Sequence, residues 1–355
     1  MKRLIIIILF FTNYLLTASG QSNNKLIEYY SKGELNKALE ISTKLISKGD
    51  ENGVYFQIHG RILADQGKYA DAIPFLLKSI KKDGNKTDIS GWAHGYLGQC
   101  YFLLGQYENS KRSLNNCIRL NATKNSIKYA NKRLFLFGFN NYFSSWEMIE
   151  TEHFRFHIQD PEKIDNIDVF VQLREKAFNE ITSSLNCRLI KKIDFFVWDN
   201  KMEPKKKFKM NLGFASPLTL CVYSHKRQTV GHEMTHVISN YIGKSPKKTG
   251  LINEGLAVYF NMENDDKIET LKMTIKNSKY DPIKVIDFWN DWRNYPDRLS
   301  YPLAGAFIQK LIDSYGIERL KPLLINQTYK KAKELFGNGL DELIKEFEYE
   351  VNNGA

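Results

Sequence analysis

The chain has 355 residues, of which 43% are hydrophobic and 26% charged, and its formal net charge is +11 at pH 7. These proportions exclude a disordered polypeptide and are typical of a folded chain with a buried core, while the length predicts about two domains. The positive charge is concentrated in two runs, at 203–210 and 243–250. They are expected to be solvated loops or sites that attract acidic partners, and no nucleic-acid-binding module is recognisable.

The first 20 residues have the three parts of a secretory signal peptide. Two basic residues at 2–3 precede an apolar run at 4–16, and small residues follow at 18–20. The apolar run is shorter than the about 20 residues that a spanning helix needs, and no later stretch is apolar enough to cross a bilayer. We therefore expect residues 1–20 to be removed and the protein to be exported, either to a periplasm or out of the cell. A retained membrane anchor is the alternative.

Four cysteines, Cys100, Cys117, Cys187 and Cys221, are present. Export permits disulfides, and a bond between Cys187 and Cys221 is conceivable; buried free thiols are the alternative. None of the spacings is that of a C-x-x-C zinc or redox motif.

The first third of the chain contains a repeat that begins with glycine. The segments GELNKAL (33–39), GKYADAI (67–73) and GQYENSK (105–111) start 34 and then 38 residues apart. Gly60 and Gly98 each lie seven residues before the second and third starting glycines. Apolar residues recur at helical spacing on both sides, which predicts pairs of helices joined by a turn.

A period of about 34 residues in helical hairpins resembles that of tetratricopeptide repeats. The resemblance implies an all-α repeat domain over 25–130 that presents a concave face for a peptide, a partner protein or the second domain of the same chain. The four additional residues of the second period are expected in the polar loop at 81–90. A helical bundle without repeats is the alternative.

The remaining chain has a different pattern, and residues 131–149, rich in aromatic side chains, are expected to link the repeats to a second domain over 150–350. The pattern predicts strands at 153–158, 192–199 and 213–224, a helix at 161–185, and mainly helices after 228. Pro217 favours an edge or a bulge for the last strand. Strands followed by helices predict an α+β domain. His153 and His157 are expected on one face of the first strand, where they pack or form hydrogen bonds.

The segment HEMTH (232–236) is the most informative part of the sequence. On a helix, His232 and His236 lie on one face about 5–6 Å apart, where two imidazoles can hold one Zn²⁺. Glu233 points away from that face and can reach a water molecule. Glu254 follows on a second helix, expected to begin near Asn253, and completes a His₂Glu set with one position left open for water.

Together, His232-Glu233-x-x-His236 and Asn253-Glu254-Gly255 resemble the motifs of gluzincin metallopeptidases, in particular the peptidase MA-like group. The resemblance covers about 150–345 and implies a zincin-like α+β fold. It also implies His232, His236 and Glu254 as zinc ligands and Glu233 as the general base. Two features depart from the family. Val258 stands where thermolysin-like enzymes have Asp, and the G-A-M-E-N element of related aminopeptidases is absent, so exopeptidase activity is not implied.

The sequence therefore predicts an exported zinc-dependent peptidase that acts on a peptide or protein substrate, with repeats that bind a partner or the substrate. Tyr301 is the candidate stabiliser of the oxyanion, with simple packing as its alternative. His225 is a rival for that role, unless it is an exposed loop residue. Asn253 either orients Glu254 or caps its helix. The competing functions are a catalytically inactive scaffold in the cell envelope and a zinc hydrolase of non-peptide amides.

Overall fold

A computed structural model describes residues 24–200, 202–203, 206, 213–243, 245, 248–263, 265–278 and 282–353. The chain divides into two compact units, residues 1–142 and 143–355, at a point inside the predicted linker. The predicted signal peptide lies outside the described residues, as do most of the first basic run and part of the second.

The described part of the first unit is built from helices. Residues 24–31 form α1. The following helices are α2 (Leu35–Ser47), α3 (Gly53–Asp65), α4 (Tyr69–Asp83), α5 (Asp88–Leu103), α6 (Tyr107–Leu120) and α7 (Lys124–Leu136). From α2 onward each helix packs against the next, and α3, α5 and α7 also pack in sequence against one another.

Glycines determine both the turns and the close packing of these hairpins. Gly33, Gly67 and Gly105 have φ angles of +76°, +83° and +73°, a left-handed conformation that suits glycine after a helix. A Cβ atom at Gly60 would lie 2.7 Å from Leu76 Cγ, and the same steric limit applies at Gly98. The predicted helical repeat region is therefore confirmed.

The four additional residues of the second period do not enlarge the loop at 81–90, so that prediction is wrong. Helices α4 and α5 have 15 and 16 residues, whereas α2 and α3 have 13 each. The added residues therefore extend the helices, and the left-handed Gly84 ends α4. The hydroxyl of Thr87 then accepts a hydrogen bond from the N–H of Ile89 and starts α5.

The second unit combines a sheet with helices. Its strands are β1 (Glu147–Glu150), β2 (Phe154–Ile158), β3 (Ile193–Trp198), β4 (Phe214–Ser216) and β5 (Cys221–His225). Its helices are α8 (Ile167–Leu185), α9 (His232–Ile242), α10 (Gly250–Tyr259), α11 (Lys267–Ser278), α12 (Val285–Asn290), α13 (Asp297–Tyr315), α14 (Ile317–Leu320), α15 (Tyr329–Phe336) and α16 (Gly339–Asn353). Thus a mixed sheet with helices follows the helical repeats, as an α+β class predicts.

The sheet has five strands in the order β1-β2-β3-β5-β4. Strands β2, β3 and β5 are parallel, whereas β1 and β4 run antiparallel to their neighbours at the two edges. Phe154, Phe156 and Phe195 form one buried face, on which α8 places Phe170 and Phe178. Helix α9, which begins with the HEMTH segment, follows β5 in the chain. It packs against β4, β5 and α8.

The predicted strand at 213–224 is broken. Pro217–Thr219 forms a 3₁₀ turn and Leu220 has a φ of +53°, which separates β4 from β5 and lets the two pair in antiparallel fashion. Of these two strands, β4 lies at an edge of the described sheet and β5 is an interior strand.

Two smaller expectations also fail. His153 precedes β2 and forms a hydrogen bond with Glu175 of α8. His157 lies on the other face of the sheet, where it forms a hydrogen bond with Asp194, so the two histidines do not share a face. Cys187 and Cys221 are free thiols and form no disulfide. Within the described residues, no helix has both the length and the apolar character that crossing a bilayer requires.

Candidate metal centre

The start of α9 lies against the end of α10. Gly231, which precedes α9, has a φ of +100°, and a side chain there would overlap the carbonyl oxygen of Phe260. Beside it, the N–H of Met262 donates a 2.9 Å hydrogen bond to the carbonyl of Val230. Only glycine meets both the conformational and the steric requirement, so it allows the histidine helix to begin next to the glutamate helix.

The three candidate ligands converge at one point. The Nε2 atoms of His232 and His236 lie 3.5 Å and 3.3 Å from Oε2 of Glu254. Ligand atoms around a tetrahedral zinc ion with bonds of about 2.0–2.1 Å are roughly 3.3 Å apart. Within the described residues this is the one group of three potential ligands whose ligand atoms all lie within 4.8 Å of one another. Two imidazoles and one carboxylate, so spaced, fit a zinc ion.

Asn253 orients Glu254 and does not cap the helix. Helix α10 begins at Gly250, earlier than predicted, because the hydroxyl of Thr249 accepts a hydrogen bond from the N–H of Ile252. The amide of Asn253 donates to Oε1 of Glu254 at 2.9 Å and lies 3.3 Å from Nδ1 of His236. It thereby leaves Oε2 of Glu254 directed at the two imidazoles.

Close packing of α10 and α13 brings Tyr301 to the same place. A Cβ atom at Gly255 would lie 2.5 Å from the carbonyl oxygen of Ala304, so this glycine permits the helices to approach. Val258 packs against Gly305 one turn further along. The ring of Tyr301 lies 6.0 Å from that of His232.

The site favours a charged carboxylate. Burial alone would raise the pKa of Glu254, but hydrogen bonds from His232 and His236 lower it far below its usual range. Burial would lower the pKa of His236, yet the hydrogen bond and charge of Glu254 raise it overall. Burial, together with the charges of Glu254, Asp297 and Glu233, raises the pKa of Tyr301 to about 12. The Tyr301 hydroxyl is therefore a hydrogen-bond donor at neutral pH.

Glu233 is held by a residue that sequence reasoning missed. Its side chain is 9% exposed, and Oε1 accepts a 2.7 Å hydrogen bond from Nε2 of Gln228. Gln228 belongs to the turn between β5 and α9, five residues before Glu233, and that spacing alone carries no signal of contact. His225, the rival of Tyr301, is not an exposed loop residue. It ends β5, is buried, and has its ring nitrogens bonded to the carbonyl of Asp199 and the N–H of Arg227.

A separate cavity of about 1040 Å³ opens between α8, α13 and the segment after α10. Lys176, Met262 and Gln309 are among its lining residues, and none of the three candidate ligands lines it. The converging ligand atoms, and not the size of a cavity, identify the candidate site.

Comparison with known proteins adds information on the first unit. The family model of the tetratricopeptide repeat matches residues 95–124, a segment that covers the end of α5 and all of α6. No curated protein matches the chain. The N-terminal unit is therefore similar to tetratricopeptide repeats in both sequence and helical architecture, which points to protein partners.

Proposed function

We propose that the second unit is a zinc-dependent peptidase with a zincin-like fold of the gluzincin type, and that the protein is exported. The observation that supports this most strongly is the convergence of His232 Nε2 and His236 Nε2 on Glu254 Oε2, beside the buried carboxylate of Glu233. Export is proposed from the N-terminal sequence alone.

The residues would divide the reaction among them. His232, His236 and Glu254 would hold the zinc ion, which when bound supplies a Lewis acid for the scissile carbonyl and makes water more acidic. Glu233 would remove the proton from the attacking water and later deliver it to the leaving amine. Tyr301, in its protonated form, would donate a hydrogen bond to the oxyanion.

The edge strand β4 offers a place for the substrate. An extended peptide can pair with an exposed strand edge through its backbone, which aligns it without strict selection of side chains. Strand β4 packs against α9, so a peptide added along Phe214–Ser216 would run close to the ligands.

The test is the substitution Glu233→Gln in the full chain. We expect hydrolysis of casein to fall by about 10²- to 10⁴-fold, because the general base is lost, while zinc content measured by mass spectrometry stays near one ion per chain. Glu346→Gln is the matched control, since Glu346 is exposed on α16. Unchanged hydrolysis in zinc-loaded Glu233→Gln protein would show that Glu233 is not the base.

The alternatives predict different results. A purified wild-type protein that binds zinc but cleaves no casein would favour a non-peptide amide, which cleavage of peptidoglycan fragments would reveal. A protein that binds no zinc and cleaves neither would favour an inactive scaffold.

We also propose that the repeats bind an acidic, extended segment of a protein partner. Helices α3, α5 and α7 share an arginine–aromatic face, defined here as Arg61, Trp92, Tyr96, Tyr129 and Arg133. The guanidinium of Arg61 lies 4.7 Å from the ring of Trp92 and 4.8 Å from that of Tyr96. Tyr96 stacks on Tyr129, whose other neighbour is Arg133 at 4.4 Å.

The guanidinium of Arg61 has donors available for a ligand. Its Nε is buried without a hydrogen bond, and Nη1 lies 3.4 Å from Oε1 of Gln57, a neutral side chain. An acidic ligand would form charge-assisted hydrogen bonds with such a guanidinium.

A labelled hexaglutamate peptide tests the arginine–aromatic face. We expect it to bind the full chain with the Glu233→Gln substitution, which prevents cleavage, and hexaglutamine to bind at least about 10-fold more weakly. Arg61→Gln and Arg133→Gln should each weaken binding by about 10-fold or more, whereas Arg112→Gln, an exposed arginine on α6, should not. Equal binding by all these variants would exclude this face as the site.

A further inference from the structure

We propose that Gln228 is a positioning residue that fixes the orientation of the Glu233 carboxylate. The proposal rests on the proposed function, because it concerns how the general base is held. The observation that supports the proposal is the 2.7 Å hydrogen bond from Gln228 Nε2 to Glu233 Oε1.

The chemistry of the two side chains determines which end of the amide faces Glu233. An ionised carboxylate only accepts hydrogen bonds, so the NH₂ group of Gln228 must face it. At the other end, Oε1 of Gln228 lies 3.2 Å from the hydroxyl of Ser224, which is also 3.0 Å from the carbonyl of His225. The hydrogen bond to Glu233 thus determines the orientation of the amide.

The backbone around Gln228 restricts its side chain further. The N–H of Gln228 donates to the carbonyl of His225 at 2.9 Å, which closes a turn directly after β5. Gly213, just before β4, packs against the side-chain amide. A Cβ atom there would overlap Gln228 Oε1 and lie 2.6 Å from the carbonyl of Tyr223. The side-chain amide of Gln228 thus lies between β5 and the residue that precedes β4.

Occupation of one carboxylate oxygen leaves the other for proton transfer. With Oε1 of Glu233 bonded to Gln228, Oε2 remains to take up and release the proton. Because the Glu233 side chain is 9% exposed, few water molecules can replace the amide if it is lost. An unconstrained carboxylate would rotate among orientations, and a misplacement of about 1 Å can cost about 10²-fold in rate.

The kinetic test compares Gln228→Met, which keeps the length and removes the donor, with Arg227→Met in the same turn. We expect Gln228→Met to lower kcat by about 10- to 100-fold while KM and zinc content stay unchanged. Gln228→Glu should lose at least as much, because it keeps the shape but places a second carboxylate beside Glu233. A kcat for Gln228→Met within about twofold of the exposed Arg227→Met control would overturn the proposal.

A second measurement does not depend on activity. In metal-free protein, the urea unfolding midpoints of Gln228→Met, Glu233→Met and the double variant form a double-mutant cycle. We expect the double variant to lose less stability than the sum of the two single losses, because each single change leaves a buried polar group unpaired. Additive losses would show that the pair does not interact. If the wild type proves to have no zinc-dependent hydrolysis, the proposed function fails, while this cycle still decides whether Gln228 holds Glu233.

Discussion

Asn253 orients one candidate ligand, Glu254. Its amide bonds Glu254 and lies beside the ring nitrogen of His236 that faces away from the ligand cluster. Residues that orient metal ligands typically contribute 10- to 100-fold to affinity. We expect Asn253→Ala to weaken zinc binding by about this factor in competition with a chelating dye. Asn240→Ala, on α9, is the control, and equal affinities of the two variants would contradict the role of Asn253.

At the scale of single residues, the sequence predicts what lies within one helical turn. His232 and His236 could be paired because a helix fixes their spacing, and the segment 250–260 supplied Glu254 as the third candidate ligand. Gln228 could not be found in this way, since its contact with Glu233 depends on the turn after β5. His225 was expected in a loop because nothing in the local sequence indicates that β5 continues to it.

Among the elements, the crossing of α10 and α13 depends on Gly255. Gly255→Ala would place a methyl group 2.5 Å from the carbonyl of Ala304, so the helices must separate. We expect a loss of about 1–3 kcal/mol in the free energy of unfolding, measured with urea, and weaker zinc binding because Glu254 moves with α10.

The control for that substitution is Gly53→Ala in α3. A Cβ atom there would have only ordinary contacts, the nearest at 3.4 Å, so stability should stay the same or rise slightly. A Gly255→Ala variant as stable as this control would show that α10 and α13 have room to adjust.

Elements were predicted well where a local rule determines them. The glycine period predicted the hairpins of the first unit because each turn requires a left-handed residue. The strand at 213–224 was predicted as continuous because its apolar pattern does not show that Leu220 adopts a left-handed conformation. Helix α10 begins before Asn253 because Thr249, and not Asn253, accepts the capping hydrogen bond.

For the whole molecule, a buried charge cluster beneath the sheet links stability to pH. Asp194 is fully buried and contacts Lys191, His157 and Arg155. Burial alone would raise its pKa, but Lys191, His157 and Arg155 lower it to about 2. Because the folded pKa lies below the usual value of 3.8, between these two pH values the unfolded chain binds a proton that the folded chain does not.

The contribution of Asp194 is therefore complete above about pH 5 and is lost as the pH falls towards 2. We expect the urea midpoint of metal-free wild-type protein to fall more steeply between pH 5 and pH 3 than that of Asp194→Asn. The midpoints are measured at intervals of about one pH unit. Asp168→Asn, at an exposed position in the first turn of α8, should keep the wild-type slope. Parallel slopes for wild type and Asp194→Asn would exclude the linkage.

The contact between Val230 and Met262, with Gly231 against Phe260, has a consequence for how the metal would be lost. It joins the two residues that precede the histidine helix to the segment that follows the glutamate helix. Local unfolding at this contact would displace the candidate metal-binding side chains of both helices at once. Release of the ion should therefore be an all-or-none event that accompanies local unfolding, without a stable intermediate in which two of the three donors remain attached.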